Sequence, residues 1–327
     1  MALHRRKFIR QVGALALLGS AAPGARAAAE PASTGPARSR RRLLRAAHLT
    51  DIHVGPDRPD KTRSPAAGMA AALRSAQSLP DAPELILFGG DCIGDALYTP
   101  KDEVLEQWAL WDRILAAELH TPALHCIGNH DIFGWNIKDA PGLERDPLYG
   151  KTLPLRHLGL KERYYGFAHG GWHFVVLDSM MADAGSRHGY IARIDEAQFS
   201  WIEAELAAVP IGRPVCILSH IPILSAASFF DGPREKAPDW IVPGAWMHID
   251  ARRLKDLFHR SGKVKVCLSG HLHLEDDVTY LGVRHLCNGA VCGGWWKGHH
   301  QEFAPAYAVL DFFDDGSVER RMVACAT

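Results

Sequence analysis

Residues 43–53 read LLRAAHLTDIH, an apolar run that ends in the polar group Thr50-Asp51-Ile52-His53. A nearly continuous apolar run is typical of a strand buried on both faces, whereas a half-exposed strand alternates apolar and polar residues. Four later runs share this design, because each is apolar and leads into polar residues. They are Leu85–Phe88, Ala123–Ile127, Val215–Leu218 and Val264–Leu268. The sequence therefore predicts a set of buried strands that begins with Leu43–Leu49.

Helical patterns separate these strands. In three segments apolar residues recur at a spacing near 3.6, and the aspartate that opens each segment is a predicted N-cap. The segments are Asp102–Leu119, Asp195–Val209 and Asp250–His259. Alternating strands and helices predict an α/β fold, and hairpin-like patterns in the second half predict a second sheet. These hairpins are Tyr164–Asp178, Val278–Leu286 and Tyr307–Val323.

Composition limits the class of protein. The chain has 327 residues, 37 Lys+Arg against 37 Asp+Glu, and 47% hydrophobic residues, which is typical of a soluble globular protein. Balanced charge argues against binding to a nucleic-acid polymer, which needs a strongly positive face, but it leaves small phosphate-containing substrates open. Because no apolar run reaches the roughly 18–20 residues that span a bilayer, we expect no membrane span.

The N-terminal residues have the layout of an export signal. The pair Arg5-Arg6 is followed by the apolar stretch Val12–Gly19 and by a small-residue cleavage site at Ala25–Ala27, as in twin-arginine signals. An amphipathic helix is the alternative, but glycines and Pro23 would interrupt it. We therefore expect a periplasmic or secreted protein. The predicted boundaries are 1–27 for the signal peptide, 28–41 for a linker and 42–327 for a single domain.

The seven cysteines have two possible roles. Three of them lie in predicted strands, where a thiol usually packs as a small buried hydrophobe: Cys126, Cys216 and Cys267. Cys287 and Cys292, with His299 and His300 downstream, invite a disulfide or a metal clip. Their spacing matches no strong zinc signature, and whether these two cysteines pair stays open.

Polar residues follow the predicted strands at the point where each strand ends. Because the carboxyl ends of strands in an α/β sheet meet at one edge, we expect these side chains to converge. Singly, each is most often a turn residue or a structural histidine, but seven at strand ends predict a site. The seven are Asp51, His53, Asp91, Asn129, His220, His271 and His273.

Two carboxylates, one amide oxygen and four imidazoles are too many ligands for one metal ion. Two first-row cations would use them all, and oxygen and imidazole donors suit Zn, Fe or Mn. A pair of such ions about 3.5–4 Å apart stabilises in-line displacement at phosphorus. The predicted chemistry is hydrolysis of a small phosphate ester.

The motif series resembles the calcineurin-like metallophosphoesterases from about residue 45 to residue 275. The motifs are Asp51-x-His53, Gly90-Asp91, Gly128-Asn129-His130-Asp131, His220 and Gly270-His271-x-His273. The resemblance implies a four-layer α/β/β/α sandwich, two facing mixed β-sheets flanked by helices. It also implies two divalent or mixed-valence ions (Mn, Fe or Zn) and attack by a metal-bound hydroxide. The implied ligands are Asp51, His53 and His273 for one ion, Asn129, His220 and His271 for the other, and Asp91 as the bridge.

In the same family, His130 corresponds to the residue that protonates the leaving oxygen. We expect the neighbouring Asp131 to hold its imidazole in the required tautomer, as carboxylates do for catalytic histidines. The alternative for His130 is contact with the phosphate without proton transfer.

The sequence also favours one branch of the family. Purple acid phosphatases carry a tyrosine three positions after the bridging aspartate, where this chain has Gly94. The pattern is closer to the cyclic-nucleotide phosphodiesterases, so we expect a phosphodiester substrate, either a cyclic nucleotide or a glycerophosphodiester. The alternatives are a phosphomonoesterase of broad specificity and a non-catalytic metal-binding protein. Nucleotide-cofactor and serine-hydrolase motifs are incomplete, because Asp91 replaces the second glycine of the dinucleotide fingerprint and no Gly-x-Ser-x-Gly occurs.

Three aromatic segments outside the motifs are predicted substrate walls: Phe133–Trp135, Phe229–Trp240 and Gly293–His300. Trp295 and Trp296 can stack on a base or a glycerol-like group, with Lys297 contacting a phosphate. It is equally open that both tryptophans only close the core.

Overall fold

Two mixed β-sheets face each other in the computed structural model, which describes residues 39–138 and 140–325. Residues from Arg40 onward belong to one compact unit. The predicted signal peptide and residues 28–38 of the predicted linker lie outside the described residues. Within the part of the chain that the structure describes, no helix is both long and apolar enough to cross a membrane.

The strands are numbered in chain order. They are β1 (Arg42–Leu49), β2 (Leu85–Phe88), β3 (Ala123–His125), β4 (Tyr165–His169), β5 (Trp172–Val176), β6 (Met180–Ala182), β7 (Tyr190–Ala192), β8 (Val215–Leu218), β9 (Glu235–Lys236), β10 (Asp239–Trp240), β11 (Val264–Ser269), β12 (Glu275–Tyr280), β13 (Val283–Asn288), β14 (Ala306–Phe313) and β15 (Val318–Ala324). The helices are α1 (Pro65–Gln77), α2 (Lys101–Glu118), α3 (Thr152–His157), α4 (Glu196–Ala208) and α5 (Ala251–Ser261), with short 3₁₀ turns at Asn129–Asp131, Leu143–Arg145 and Ala227–Phe229.

The first sheet has the strand order β15-β14-β1-β2-β3, with β1, β2 and β3 parallel. The second sheet has the order β12-β13-β11-β8-β5-β4, in which the four central strands are parallel and the two edge strands antiparallel. Each sheet therefore has its own edge of parallel carboxyl ends. Two short pairs, β6-β7 and β9-β10, lie outside these sheets.

Side chains of both sheets interdigitate to form the central core. Along β1, Leu44 and Ala46 face this core, whereas Ala47 and Leu49 face the helices. The ring of Phe312 from β14 packs against Trp172 and Phe174 of β5, with centroids 4.9 and 5.5 Å apart. Because both faces of these strands are covered, their sequences are apolar throughout instead of alternating.

Helices cover the outer face of each sheet. α1 and α2 pack on the first sheet through residues such as Leu73 and Trp111, and α4 and α5 pack on the second through residues such as Ile202 and Phe258. The resulting layers are helix, sheet, sheet and helix. The predicted four-layer α/β/β/α sandwich is confirmed.

The predicted helix starts hold only in part. Asp195 caps α4, since its carboxylate accepts from the N–H of Gln198 at 2.8 Å. Asp250 precedes α5, but its carboxylate accepts from the N–H of Ile194 and faces His248 instead. The prediction for Asp102 is wrong, because α2 begins one residue earlier, after Pro100. Asp102 lies in the first turn, where an acidic side chain interacts favourably with the positive end of the helix dipole.

All seven cysteines are buried and carry free thiols. Cys126 and Cys216 belong to the core between the sheets, and Cys267 to the core beneath the outer helices. Cys287 and Cys292 are not joined in a disulfide. The predicted core packing of Cys126, Cys216 and Cys267 is therefore confirmed.

Candidate metal centre

Seven polar side chains from five loops meet at one place between the two sheets. Each loop follows the carboxyl end of a strand, which is β1, β2 or β3 in the first sheet and β8 or β11 in the second. The sequence predicted these positions, and the structure brings all of them into one cluster. They are Asp51, His53, Asp91, Asn129, His220, His271 and His273.

Five of the seven residues adopt the left-handed backbone conformation. The φ angles are 53° at Asp51, 48° at His53, 51° at Asp91, 70° at His271 and 57° at His273. This conformation costs a residue with a Cβ roughly 1–2 kcal/mol, so it persists only where the surrounding structure imposes it. Backbone bonds between loops do so here: the N–H of Asp51 donates to the carbonyl of Gly90, and that of His53 to the carbonyl of Asp91.

Glycines allow the loops to approach each other. A Cβ at Gly270 would lie 2.1 Å from Oδ2 of Asp51, and a Cβ at Gly128 would lie 2.2 Å from Oδ1 of Asp91. Both distances are far inside van der Waals contact. Any larger residue at Gly128 or Gly270 would therefore displace a carboxylate of the cluster.

In one half of the cluster, two imidazole nitrogens and two carboxylate oxygens face each other. The Nε2 atoms of His53 and His273 lie 3.2 Å apart, and Asp51 Oδ1 lies 3.4 Å from that of His273. Asp91 Oδ2 lies 3.5 Å from Nε2 of His53. The Nδ1 atoms of His53 and His273 donate to the carbonyls of Gly94 and Gly293, so each ring presents a lone pair at Nε2 when it is neutral.

The other half of the cluster also brings nitrogen and oxygen ligand atoms together. Nε2 of His220 lies 3.0 Å from Oδ1 of Asn129 and 3.2 Å from Oδ2 of Asp91, while its Nδ1 donates to the carbonyl of Gly89. Nδ1 of His271 is buried and has no hydrogen-bond partner. Asp91 Oδ2 is close to a histidine of each half, so this one oxygen is placed to bridge two ions.

The electrostatics of the cluster favour bound cations. Burial acts to raise the pKa of Asp91, but the neighbouring histidines outweigh it and hold the pKa well below its usual range. Burial acts to lower the pKa of His220, but the carboxylates of Asp91 and Asp51 raise it to about 9. Burial lowers the pKa of His53 and His271 to about 3, which keeps both rings neutral. Ionised, buried carboxylates suit first-row metal ions, and a bound cation would replace the proton that they draw onto His220.

The residues present therefore fit two ions. Three overlapping groups of side chains have ligand atoms close enough to hold one: Asp51 with His53 and Asp91, Asp91 with His220 and His271, and His53 with His273 and Cys292. The orphaned Nδ1 of His271 is the atom that a cation in the second group would satisfy.

His130 lies beside this cluster, but its partner is not the one predicted. Its Nδ1 lies 2.8 Å from Oδ1 of Asp95, and its backbone N–H donates to Asp91. Asp131 does not contact the imidazole, because its carboxylate accepts from the N–H groups of Cys92, Ile93 and Gly128. The 3₁₀ turn over Asn129–Asp131 directs successive side chains apart, which corrects the expected role of Asp131.

Asp95 is not among the site residues that the sequence predicts. It belongs to none of the motifs, and nothing in its spacing relates it to His130. The only signal is that it follows Gly94 in the loop after the bridging aspartate. Burial acts to raise the pKa of Asp95, but the hydrogen bond with His130 outweighs it, so the carboxylate stays ionised beside the ring.

The predicted substrate walls divide between core and site. Trp296 is buried, and its Nε1 donates to the carbonyl of His53 at 3.0 Å. Trp295 is 39% exposed, and its ring lies 4.3 Å from that of His273. Phe133 is buried in the core. Lys297 forms an ion pair with Asp60 at 2.8 Å, so its ammonium group already has an anionic partner.

A cavity of about 230 Å³ opens beside the cluster. His53 and Asp95 line it on the side of the cluster, and Trp295, Arg58 and Lys61 line it farther out. A phosphate held at the cluster would therefore place its organic group in this cavity.

Known proteins share this fold and these motifs. The calcineurin-like phosphoesterase family model matches residues 44–275. A 3′,5′-cyclic-nucleotide phosphodiesterase of Nostoc sp. is 25% identical over 279 residues, which cover 83% of this chain and 88% of that protein. The 3′,5′-cyclic adenosine monophosphate phosphodiesterase CpdA of Escherichia coli is 25% identical over 207 residues, 62% of this chain and 63% of CpdA.

A crystal structure has the same fold. It is that of a dimetal phosphatase from Danio rerio, with a TM-score of 0.56 and 16% identity over 88% of this chain and all of that one. The family match includes all seven residues of the cluster. The chain therefore belongs to the calcineurin-like phosphoesterase family and is a metal-dependent phosphoric ester hydrolase.

Proposed function

We propose that the protein is a dinuclear-metal phosphodiesterase that hydrolyses small diesters, with 3′,5′-cyclic nucleotides as the favoured class. The observation that carries this proposal is the position of Asp91 Oδ2 between Nε2 of His53 and Nε2 of His220. One ion would be held by Asp51, His53, Asp91 and His273. The other would be held by Asp91, Asn129, His220 and His271.

The chain's own residues have separable roles in this proposal. The bound cations supply Lewis-acid activation of water and neutralise charge on the phosphate. The carbonyls of Gly89, Gly94 and Gly293 fix the tautomers of three histidines, so that each Nε2 faces the cluster. His130 would give a proton to the leaving oxygen, and Asp95 would hold its ring by accepting from Nδ1.

Three observations support a diester in preference to a monoester. The relatives from Nostoc and E. coli that cover most of this chain are both named as cyclic-nucleotide phosphodiesterases. The chain also has Gly94 where purple acid phosphatases carry a tyrosine. The cavity beside His53 offers room for an organic group next to the phosphate.

The test is a parallel assay of p-nitrophenyl phosphate, bis(p-nitrophenyl) phosphate and 3′,5′-cyclic adenosine monophosphate with added Mn²⁺, Zn²⁺ or Fe²⁺. We expect a higher kcat/KM for the diesters, and loss of both activity and bound metal in Asp91→Ala. The matched control is Asp277→Ala, which removes a carboxylate paired with Arg284 on the surface. Full activity in Asp91→Ala, or a preference for the monoester, contradicts the proposal.

We also propose export by the twin-arginine route, on the sequence of residues 1–27. Replacing Arg5 and Arg6 together by Lys should retain the protein in the cytoplasm. Cell fractionation with an antibody to the folded domain measures this. Equal amounts of the wild type and the double variant outside the cytoplasm would refute the route.

A further inference from the structure

We propose that Trp295 is a stacking surface for a planar, uncharged ring in the organic group of the substrate. The inference rests on the proposed function and narrows it, because it favours nucleoside or aryl esters over glycerophosphodiesters. It assigns specificity to a residue outside the metal cluster.

The backbone holds Trp295 at the mouth of the site. Trp295 and Trp296 both have positive φ angles, 53° and 65°, and only the second indole is buried. Trp296 enters the core, where its ring packs so closely on α1 that a Cβ at Gly68 would lie 2.1 Å from it. Lys61 Nζ donates to the carbonyl of Trp295 at 2.9 Å, which fixes the loop from the other side. Strained backbone of this kind persists where the fold or a function requires it.

The ring of Trp295 lies beside the metal cluster and also lines the cavity. It lies 4.3 Å from the ring of His273 and 6.1 Å from that of His53. His300 approaches it edge-on at 5.4 Å, with an interplanar angle of 89°. Trp295 remains 39% exposed despite these neighbours, and it lines the cavity together with His53. An ester whose phosphorus lies at the cluster would therefore bring its organic group against the indole.

The charged side chains around the cavity have partners within the chain. Arg58 is paired with Glu103 at 2.8 Å, and Asp60 is paired with Lys297 at 2.8 Å. The ammonium of Lys61 donates to the carbonyl of Trp295. An uncharged ring contacts the indole and leaves these partners in place. Base–aromatic stacking is a large enough effect to change affinity by about tenfold or more.

The experiment compares wild type with Trp295→Leu and Trp295→Phe, all reconstituted with Mn²⁺ and checked for metal content. The matched control is Tyr280→Leu, which removes a half-exposed aromatic ring on β12, outside the cavity lining. KM and kcat are measured for 3′,5′-cyclic adenosine monophosphate and for glycerophosphoethanolamine, a diester without a ring. Binding of adenosine 3′,5′-cyclic phosphorothioate, a slowly hydrolysed analogue, is measured by calorimetry.

We expect Trp295→Leu to raise KM for the cyclic nucleotide, and to weaken binding of the analogue, by about tenfold or more. Trp295→Phe should restore most of this loss, and KM for the ring-free diester should not change. An equal loss for both substrates, or analogue binding that Trp295→Leu leaves intact, overturns the inference. If no diester is hydrolysed at all, the proposed function fails, and the calorimetric comparison still decides the role of Trp295.

Discussion

Oδ1 of Asp95 and Nδ1 of His130 lie 2.8 Å apart, although 35 positions separate the two residues in the chain. Asp95 is itself fixed, because Thr99 and the N–H of Tyr98 donate to its other oxygen. The loop after β2 thus positions the Asp95 carboxylate, which orients the His130 ring through its Nδ1. This arrangement leaves Nε2 of His130 as the atom that would exchange a proton with a substrate.

Asp95→Ala should lower kcat by roughly 10–100-fold without changing metal content, because the His130 ring loses the group that orients it. The loss should be larger for a diester with an alkoxide leaving group than for bis(p-nitrophenyl) phosphate, whose leaving group needs little protonation. Steady-state kinetics on both substrates checks this. The same kcat loss on the two substrates would contradict a role in protonating the leaving oxygen.

Asp131→Ala provides the contrast. Its carboxylate accepts three backbone N–H bonds, so its removal should lower stability by a few kcal/mol. Urea unfolding measures this. A variant as stable as wild type would show that those bonds contribute little.

Gly270→Ala should weaken metal binding. The new Cβ would lie 2.1 Å from both Asp51 Oδ2 and Thr50 Oγ1, so the Asp51 carboxylate must shift. Metal content after dialysis against a weak chelator is the measurement. Gly185→Ala is the control, because its Cβ would meet only the far end of the Asp183 side chain, at 3.2 Å. Equal retention of metal in both variants would refute the close approach.

Removal of metal should lower the thermal stability of the fold. The cations would bind the cluster that Asp51 and Asp91 complete only in the folded state, so their removal takes away binding free energy that stabilises the native state. An ion present at about 100 times its Kd stabilises the native state by about 2.7 kcal/mol per site. Tm should therefore fall on addition of a chelator and recover with Mn²⁺ or Zn²⁺. In Asp91→Ala the chelator should lower Tm much less. A fall in Tm as large as that of the wild type would show that the ions bind outside this cluster.

Phe312→Ala should cost about 3–5 kcal/mol of unfolding free energy, because it leaves a cavity between the two sheets beside Trp172 and Phe174. Chemical denaturation at constant metal concentration measures this. Phe167→Ala is the matched control, since Phe167 is 38% exposed on β4 and should cost far less. Similar costs for the two would argue against a tightly packed layer.

Asp195 should make α4 sensitive to acid. Burial acts to raise the pKa of Asp195, but the N–H of Gln198 and the guanidinium of Arg163 outweigh it and lower the pKa. A carboxyl whose pKa is lowered by folding contributes stability above its unfolded pKa of about 3.9, and this contribution is lost as pH falls. Asp195→Ala should thus cost about 1 kcal/mol at pH 7, the usual value for an N-cap. The difference from wild type, measured by urea unfolding, should shrink below about pH 4. A difference independent of pH would show that the charge plays no part.

The sequence predicts the strands and the seven clustered residues well, because both depend on local pattern and strand direction. Leu85–Phe88 and Val215–Leu218 match the observed strands residue for residue. Helix α1 was missed, although Ser64 caps it and Pro65 begins it. Its Gly68 argues against a helix in the sequence pattern. The structure gives the reason for this glycine, because the ring of Trp296, over 200 positions away, occupies the space beside it.

The details of the site depended on long-range contacts that no pattern contains. The sequence offered Asp131 as the partner of His130 because the two are adjacent, yet adjacent residues of a turn point in different directions. Lys297 was expected to meet a phosphate, but Asp60 on a distant loop neutralises it. The two adjacent tryptophans are equivalent in the sequence pattern, yet Trp296 is buried in the core and Trp295 is exposed beside the site.

The seven enclosed thiols have a consequence for how the protein can be made. Since none of them forms a cross-link, reaching the native state requires no oxidant and no isomerase to sort partners. Small-molecule thiols have no disulfide to attack, and oxidants have little access to the sulfur atoms. The folded molecule should therefore tolerate both reducing and oxidising surroundings, whereas refolding from urea should need a reductant, because the unfolded chain exposes its thiols.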